Sequence, residues 1–155
     1  MSSGVDVFQK KIDFLGLKLK IVSLPQSTRT AVEAARAVGC QLGQIAKSIV
    51  FQSEKGNPVL VIASGAKNRI DEEKLEKILG EKIQKADADF VRQETGFVIG
   101  GVPPFGHKKK IITFIDKDLF NFSEIWAAAG DSFSVFKTTA SELAKITDGQ
   151  VIEVK

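Results

Sequence analysis

Apolar positions recur along this chain with two periods, and the switches between them mark out the elements. Val5, Phe8, Ile12 and Leu15 fall at helical spacing and predict an amphipathic helix that stops at Gly16. Residues 19–24 (LKIVSL) alternate apolar and polar side chains, which predicts a strand ended by Pro25. Thr30-x-x-Glu33 matches a capping box, in which the Thr hydroxyl accepts an N3 amide and the Glu returns to the cap. Residues 31–38 then form a short Ala-rich helix closed by Gly39. Residues 47–52 and 59–63 are apolar runs joined by a Gly/Asn/Pro turn, a hairpin signal.

Asp71 predicts the cap of a helix running to Leu79, with Glu72 and Glu73 in its first turn and Gly80 at its end. A further helix is expected over 87–95, a strand at Phe97-Val98-Ile99, a Gly/Pro loop over 100–106 and a strand over 111–115. Strands over 126–129 and 134–137, a helix over 140–146 and a last strand over 151–154 complete the pattern. No linker, repeat or composition break divides the chain, so residues 1–155 are expected to form one domain. Several strand pairs sit too close for βαβ crossovers. The expected fold is α/β, a mixed sheet or barrel with packed helices, not a doubly wound Rossmann arrangement.

Composition narrows the chemistry. Among 155 residues there is a single Cys and a single His, so neither an internal disulfide nor a four-ligand Cys/His zinc site is possible. Any site needing two imidazoles is excluded as well. A hydrophobic fraction of 43% with 26% charged residues suits a globular domain with its own core rather than a disordered tail. The net charge of +3 permits an RNA ligand without arguing for one, because phosphate binding depends on clustered charge. The amino terminus lacks the basic and apolar regions of a signal peptide, and no window approaches the roughly 18 apolar residues of a membrane span. A cytoplasmic protein is the expectation.

Four features carry candidate chemistry. On a pleated strand Lys47 shares a face with Ile49 and Phe51, so its ammonium either snorkels to the rim or points into a cavity. Gly100-Gly101-Val102-Pro103-Pro104-Phe105-Gly106 combines glycines, which let a ligand approach the backbone, with prolines that stiffen the loop. The amides of Gly101, Val102, Phe105 and Gly106 are donors for an oxyanion or phosphate there, and an ordinary connecting loop is the alternative. His107 follows the loop and precedes the basic run Lys108-Lys109-Lys110, with no carboxylate beside it in sequence. Gly65-Ala66-Lys67-Asn68-Arg69 is polar and either contacts substrate or turns the chain into the Asp71 helix, while Cys40 among apolar neighbours reads as core filler.

Taken together, these residues resemble the YbaK/prolyl-tRNA-synthetase-associated (INS-like) editing domains, which are aminoacyl-tRNA deacylases. The likeness runs from Thr30-Ala31-Val32-Glu33 through the Gln44-Ile45-Ala46-Lys47-Ser48-Ile49 strand and Val59-Leu60-Val61. It continues in the segment from Thr95 to Gly106, in Ala128-Ala129-Gly130 and in Ser141-Glu142-Leu143. The resemblance implies a mixed sheet of six or seven strands and hydrolysis of the ester joining a wrong amino acid to tRNA, commonly tRNA(Pro). It places the family's lysine on Lys47 and its Gly-x-x-x-Pro loop on Gly100 to Pro104. Catalytic roles are then expected for Lys47 and Gly101, and substrate contacts for Gly100, Val102, Pro103, Pro104, His107, Ala128 and Gly130. The expected partners are the acceptor end of a mischarged tRNA and an aminoacyl-tRNA synthetase, with no cofactor or metal. In this family the free hydroxyl of the terminal adenosine is thought to assist, which suits a chain poor in nucleophiles. Ala128 and Ala129 stand where some members carry a polar residue, which removes a side-chain contact to the substrate. A non-catalytic tRNA- or synthetase-binding module of the same fold is the alternative.

Overall fold

The computed structural model describes residues 3–66 and 69–155, so Lys67 and Asn68 of the polar stretch lie outside the described residues. Helix α1 (Gly4–Phe14) precedes strand β1 (Ile21–Ser23) and helix α2 (Ala31–Val38). The hairpin follows as β2 (Ile45–Ser53) and β3 (Pro58–Ser64), then α3 (Glu72–Leu79), β4 (Ile83–Lys85) and α4 (Ala88–Thr95). The remaining elements are β5 (Ile112–Asp116), β6 (Ile125–Ala128), β7 (Ser134–Thr138), α5 (Ala140–Thr147) and β8 (Gln150–Ile152).

The helix ends follow local chemistry. Thr30 Oγ1 accepts the Glu33 amide at 3.1 Å, and Asp71 and Asp87 accept the amides of Lys74 and Phe90 in the same way. The capping box at Thr30 takes a variant form, because its hydroxyl also donates to the Glu33 carboxylate at 3.0 Å. Gly39, Gly80 and Gly96 close α2, α3 and α4 in the left-handed conformation.

All eight strands join one mixed sheet, ordered β1-β7-β6-β2-β3-β5-β8 with β4 beside β2. The hairpins β2–β3 and β6–β7 are antiparallel, whereas β2–β6, β3–β5 and β5–β8 run parallel. The sheet has eight strands where six or seven are expected, and it ends at β1 and β8 rather than closing into a barrel. Strand β4 has only three residues and pairs at the far end of β2. The strand expected at Phe97-Val98-Ile99 is a turn instead. Phe97 is buried, but Val98 and Ile99 are exposed, and the Gly101 amide donates back to the Val98 carbonyl at 3.0 Å.

One face of the sheet packs a large core that receives Phe8 and Ile12 of α1, with the Phe8 ring 5.0 Å from Phe105 and 5.2 Å from Phe136. The other face buries Phe51, Val61 and Leu75 of α3, and a third cluster seats Ala34 and Ala35 of α2 on Ile45. At the end of β5 the buried Asp116 accepts the Ser64 amide at 2.9 Å and faces Lys155 Nζ at 3.6 Å, which ties the last residue to the end of β3.

Candidate active site

Strand β2 is flanked unevenly. On one edge β3 pairs with it from Ala46 to Gln52. On the other, β6 reaches only Ile45 and Ala46, and β4 only Phe51, Gln52 and Ser53. Lys47, Ser48, Ile49 and Val50 therefore have no strand beside them on that edge, and a cavity of about 340 Å³ opens there. Residues 45–50 all line it, so it meets both faces of β2 through the break in the sheet. Its size is that of a small-molecule site.

The walls are largely apolar, with Ala31 and Ala34 of α2, Val91 of α4, Val102 of the loop and Ala127 and Trp126 of β6 among them. The rim is cationic. Arg29, Lys47 and Lys85 line the cavity and are exposed, and among the described residues no Asp, Glu, His or Cys lines it. None of the three enters the ion pairs formed among the described residues. Uncompensated positive charge over an apolar hollow attracts an anionic ligand and focuses its field inward.

Lys47 projects from the face of β2 that carries Ile45 and Ile49, and it is exposed. Its side chain therefore stands at the open side of the cavity rather than in a closed pocket. Ser48 follows it in sequence but points to the opposite face with Ala46 and Val50, so the two do not form a Ser–Lys dyad. The Ser48 Oγ is buried without a hydrogen-bond partner, and so is the Oγ1 of Thr28, another lining residue.

The loop divides into residues that reach the cavity and residues that hold them there. Gly100 and Val102 line it, and neither amide donates to a protein acceptor among the described residues. Gly100 has φ +93°, and a Cβ on it would come within 2.6 Å of Arg29 Cγ. Gly101 does not reach the cavity. Its amide is used in the turn to Val98 and its carbonyl accepts the Gly130 amide at 3.0 Å, so the Gly101 amide is not free for a ligand. Pro103 and Pro104 are buried behind the lining, and Gly130, φ +113°, packs against the start of α1. Of the other expected contacts, Ala128 lines the cavity and His107 does not.

His107 is half-buried, its Nε2 is 2.6 Å from the Pro103 carbonyl oxygen, and its ring meets Phe97 edge-on. Burial pushes its pKa below the ordinary value, outweighing the opposing effect of the Pro103 carbonyl. Lys109 pairs with the buried Glu94 at 3.0 Å, and Cys40 packs beside the Ala34–Ala35 cluster, its thiol pushed up by burial. Among the described residues no three His, Cys, Asp or Glu side chains come together to hold a metal. Thr28, Arg29, Ser48 and Lys85 are lining residues that the sequence pattern did not single out. The one local signal was Ser48, a polar residue between the apolar Ala46 and Val50 on one face of the strand.

Residues 25–146, a span that contains every residue lining the cavity, match the model of the aminoacyl-tRNA editing domain family. The chain belongs to this family. The editing domain is 44% identical to a candidate trans-editing enzyme for prolyl tRNA synthetase, whose crystal structure it matches at a TM-score of 0.92 over 100% of this chain and 98% of that one. It is 30% identical to YwhH of Bacillus subtilis, covering 84% of this chain and 83% of that protein. It is 27% identical to EbsC of Enterococcus faecalis, a candidate Cys-tRNA(Pro)/Cys-tRNA(Cys) deacylase, covering 81% of this chain and 76% of EbsC. No helix among the described residues is long and apolar enough to cross a membrane.

Proposed function

We propose that this editing domain hydrolyses, in trans, the ester bond between a wrong amino acid and its tRNA, with a tRNA of the tRNA(Pro) type as substrate. The observation that carries the reading is the pairing of an apolar hollow of acyl size with a cationic rim free of carboxylates. The hollow takes the aminoacyl group, and Arg29, Lys47 and Lys85 receive the terminal phosphates of the acceptor end. The relatives' names support the choice of tRNA and of a synthetase as the neighbouring partner.

An aminoacyl ester is already activated, so its hydrolysis needs a placed water and a place for negative charge. Water attacks the ester carbonyl, and the tetrahedral oxyanion is met by the Gly100 and Val102 amides and the Lys47 ammonium. Collapse expels the ribose oxygen, which leaves with a proton. Among the described residues no imidazole, thiol or carboxylate lines the cavity to act as base, so the proton moves through water and the neighbouring ribose hydroxyl of the substrate.

The test is deacylation of a panel of mischarged tRNAs by the purified protein. Release above the buffer rate is expected for at least one, with most of it lost in Lys47→Ala at an unchanged unfolding midpoint, because Lys47 is exposed. Binding of tRNA with no turnover would make the chain a binding module instead.

A further inference from the structure

Two buried hydroxyls of residues that line the cavity have no partner. Thr28 is 5% exposed, yet its Oγ1 makes no hydrogen bond, and the Ser48 Oγ shares that state in the same cavity. A buried unpaired hydroxyl is costly, and native proteins keep few of them. Two lining one otherwise apolar hollow mark the position of a polar group supplied from outside.

The charge distribution decides what kind of group. A free α-ammonium at this depth would be a buried cation with only hydroxyls to face, beneath a rim of Arg29, Lys47 and Lys85 and with no lining carboxylate. A neutral group that both donates and accepts fits two hydroxyls without that penalty. Lys47 is exposed and Thr28 is buried, so an ester and ribose held by Lys47 turn the acyl side chain toward the buried hydroxyls. Resting on the deacylase reading above, we propose that Thr28 and Ser48 are specificity-determining residues that select acyl groups with a small side chain bearing a hydroxyl. Alkyl side chains of the same size leave both hydroxyls unpaired and are rejected. Such a polar pocket discriminates far more strongly than an apolar one can by shape alone.

The experiment compares seryl with alanyl and threonyl with valyl esters on one tRNA, for the wild-type protein, Thr28→Val and Ser48→Ala. Each variant removes only a hydroxyl that has no partner, so the unfolding midpoint is expected to hold or rise. The wild type is expected to favour the hydroxyl member of each pair by roughly tenfold or more, and each variant to lose most of that ratio by slowing the hydroxyl substrates alone. Binding of seryl- and alanyl-adenosine joined through an amide in place of the ester gives the same comparison without turnover. Equal treatment of each pair by the wild type overturns the proposal. So does a variant that slows all four substrates alike, since the hydroxyls would then hold a group common to every aminoacyl ester. Equal affinity for the two amides, with no hydrolysis anywhere, overturns both readings. A seryl preference in binding with no hydrolysis overturns only the deacylase reading.

Discussion

Pro103 offers His107 a carbonyl, which only accepts, so the proton of the neutral imidazole sits on Nε2 and is donated across 2.6 Å. The ring thereby clamps the loop from behind, in an edge-on contact with Phe97, while Gly100 and Val102 line the cavity. Because burial lowers its pKa in the folded chain, the unfolded chain binds this proton more readily. The resulting contribution to stability is fully present above the ordinary value of about 6.5 and is lost as pH falls through the lower, folded value. Urea midpoints are thus expected to fall from about pH 7.5 to about pH 5 through this residue. In His107→Gln, which keeps an amide donor for the Pro103 carbonyl, that part of the pH dependence should vanish. An identical pH profile in the variant would mean that His107 titrates as freely in the folded chain as in the unfolded one.

At the scale of elements, the loop over residues 98–106 is held less by its own stiffness than by the turn it leans on. A Cβ on Gly101 would stand 2.6 Å from Asp131 Cα, backbone against backbone, where no side chain can swing aside. Gly101→Ala is expected to lower stability by about 1–3 kcal/mol, the range of an overpacked core site. It should also reduce deacylation, because the shift is passed to Gly100 and Val102. Denaturation and rate measurements on the same preparation check both effects, and a fully stable variant would show that the turn at Asp131 yields freely. The helices were legible in the sequence because their signals are local: Thr30 with Gly39, Asp71 with Gly80 and Asp87 with Gly96 each bracket one element. Strand identity was less so. Phe97-Val98-Ile99 has the composition of a strand, but Gly96 in the left-handed cap and the bond from Gly101 to Val98 turn it back on itself. Residues 83–85 lack an apolar run and become β4 only because the end of β2 offers them an edge. The cavity was illegible for the same reason. It exists because β4 and β6, remote in sequence, take the two ends of one edge and leave the middle open. The Lys47 strand and the loop were readable as candidates, whereas Thr28, Arg29 and Lys85 join them only through the fold.

For the whole molecule, a net charge of +3 says little, but three of its cations stand around one opening that no lining carboxylate among the described residues offsets. Elsewhere Lys109 and Lys137 are matched by Glu94 and Glu124, and the buried Lys155 faces Asp116. The basic run at Lys108-Lys109-Lys110 lies outside the cavity lining, so on the proposed reading an acceptor end meets Arg29, Lys47 and Lys85. Binding a single-stranded end there releases counterions, and three phosphate contacts set a slope of about −2 for log kcat/KM against log salt. Raising salt fourfold is then expected to cut kcat/KM by roughly 15-fold, with kcat at saturation little changed. Lys85→Gln isolates the effect, since Lys85 lies apart from Lys47 and from the loop in the chain and enters none of the ion pairs among the described residues. It should make the slope shallower by about 0.7, the share of one contact on a single strand. Measuring kcat/KM for wild type and variant across a salt series decides the matter. Parallel lines would remove Lys85 from the path of the substrate phosphates and leave the rim with Arg29 and Lys47 alone.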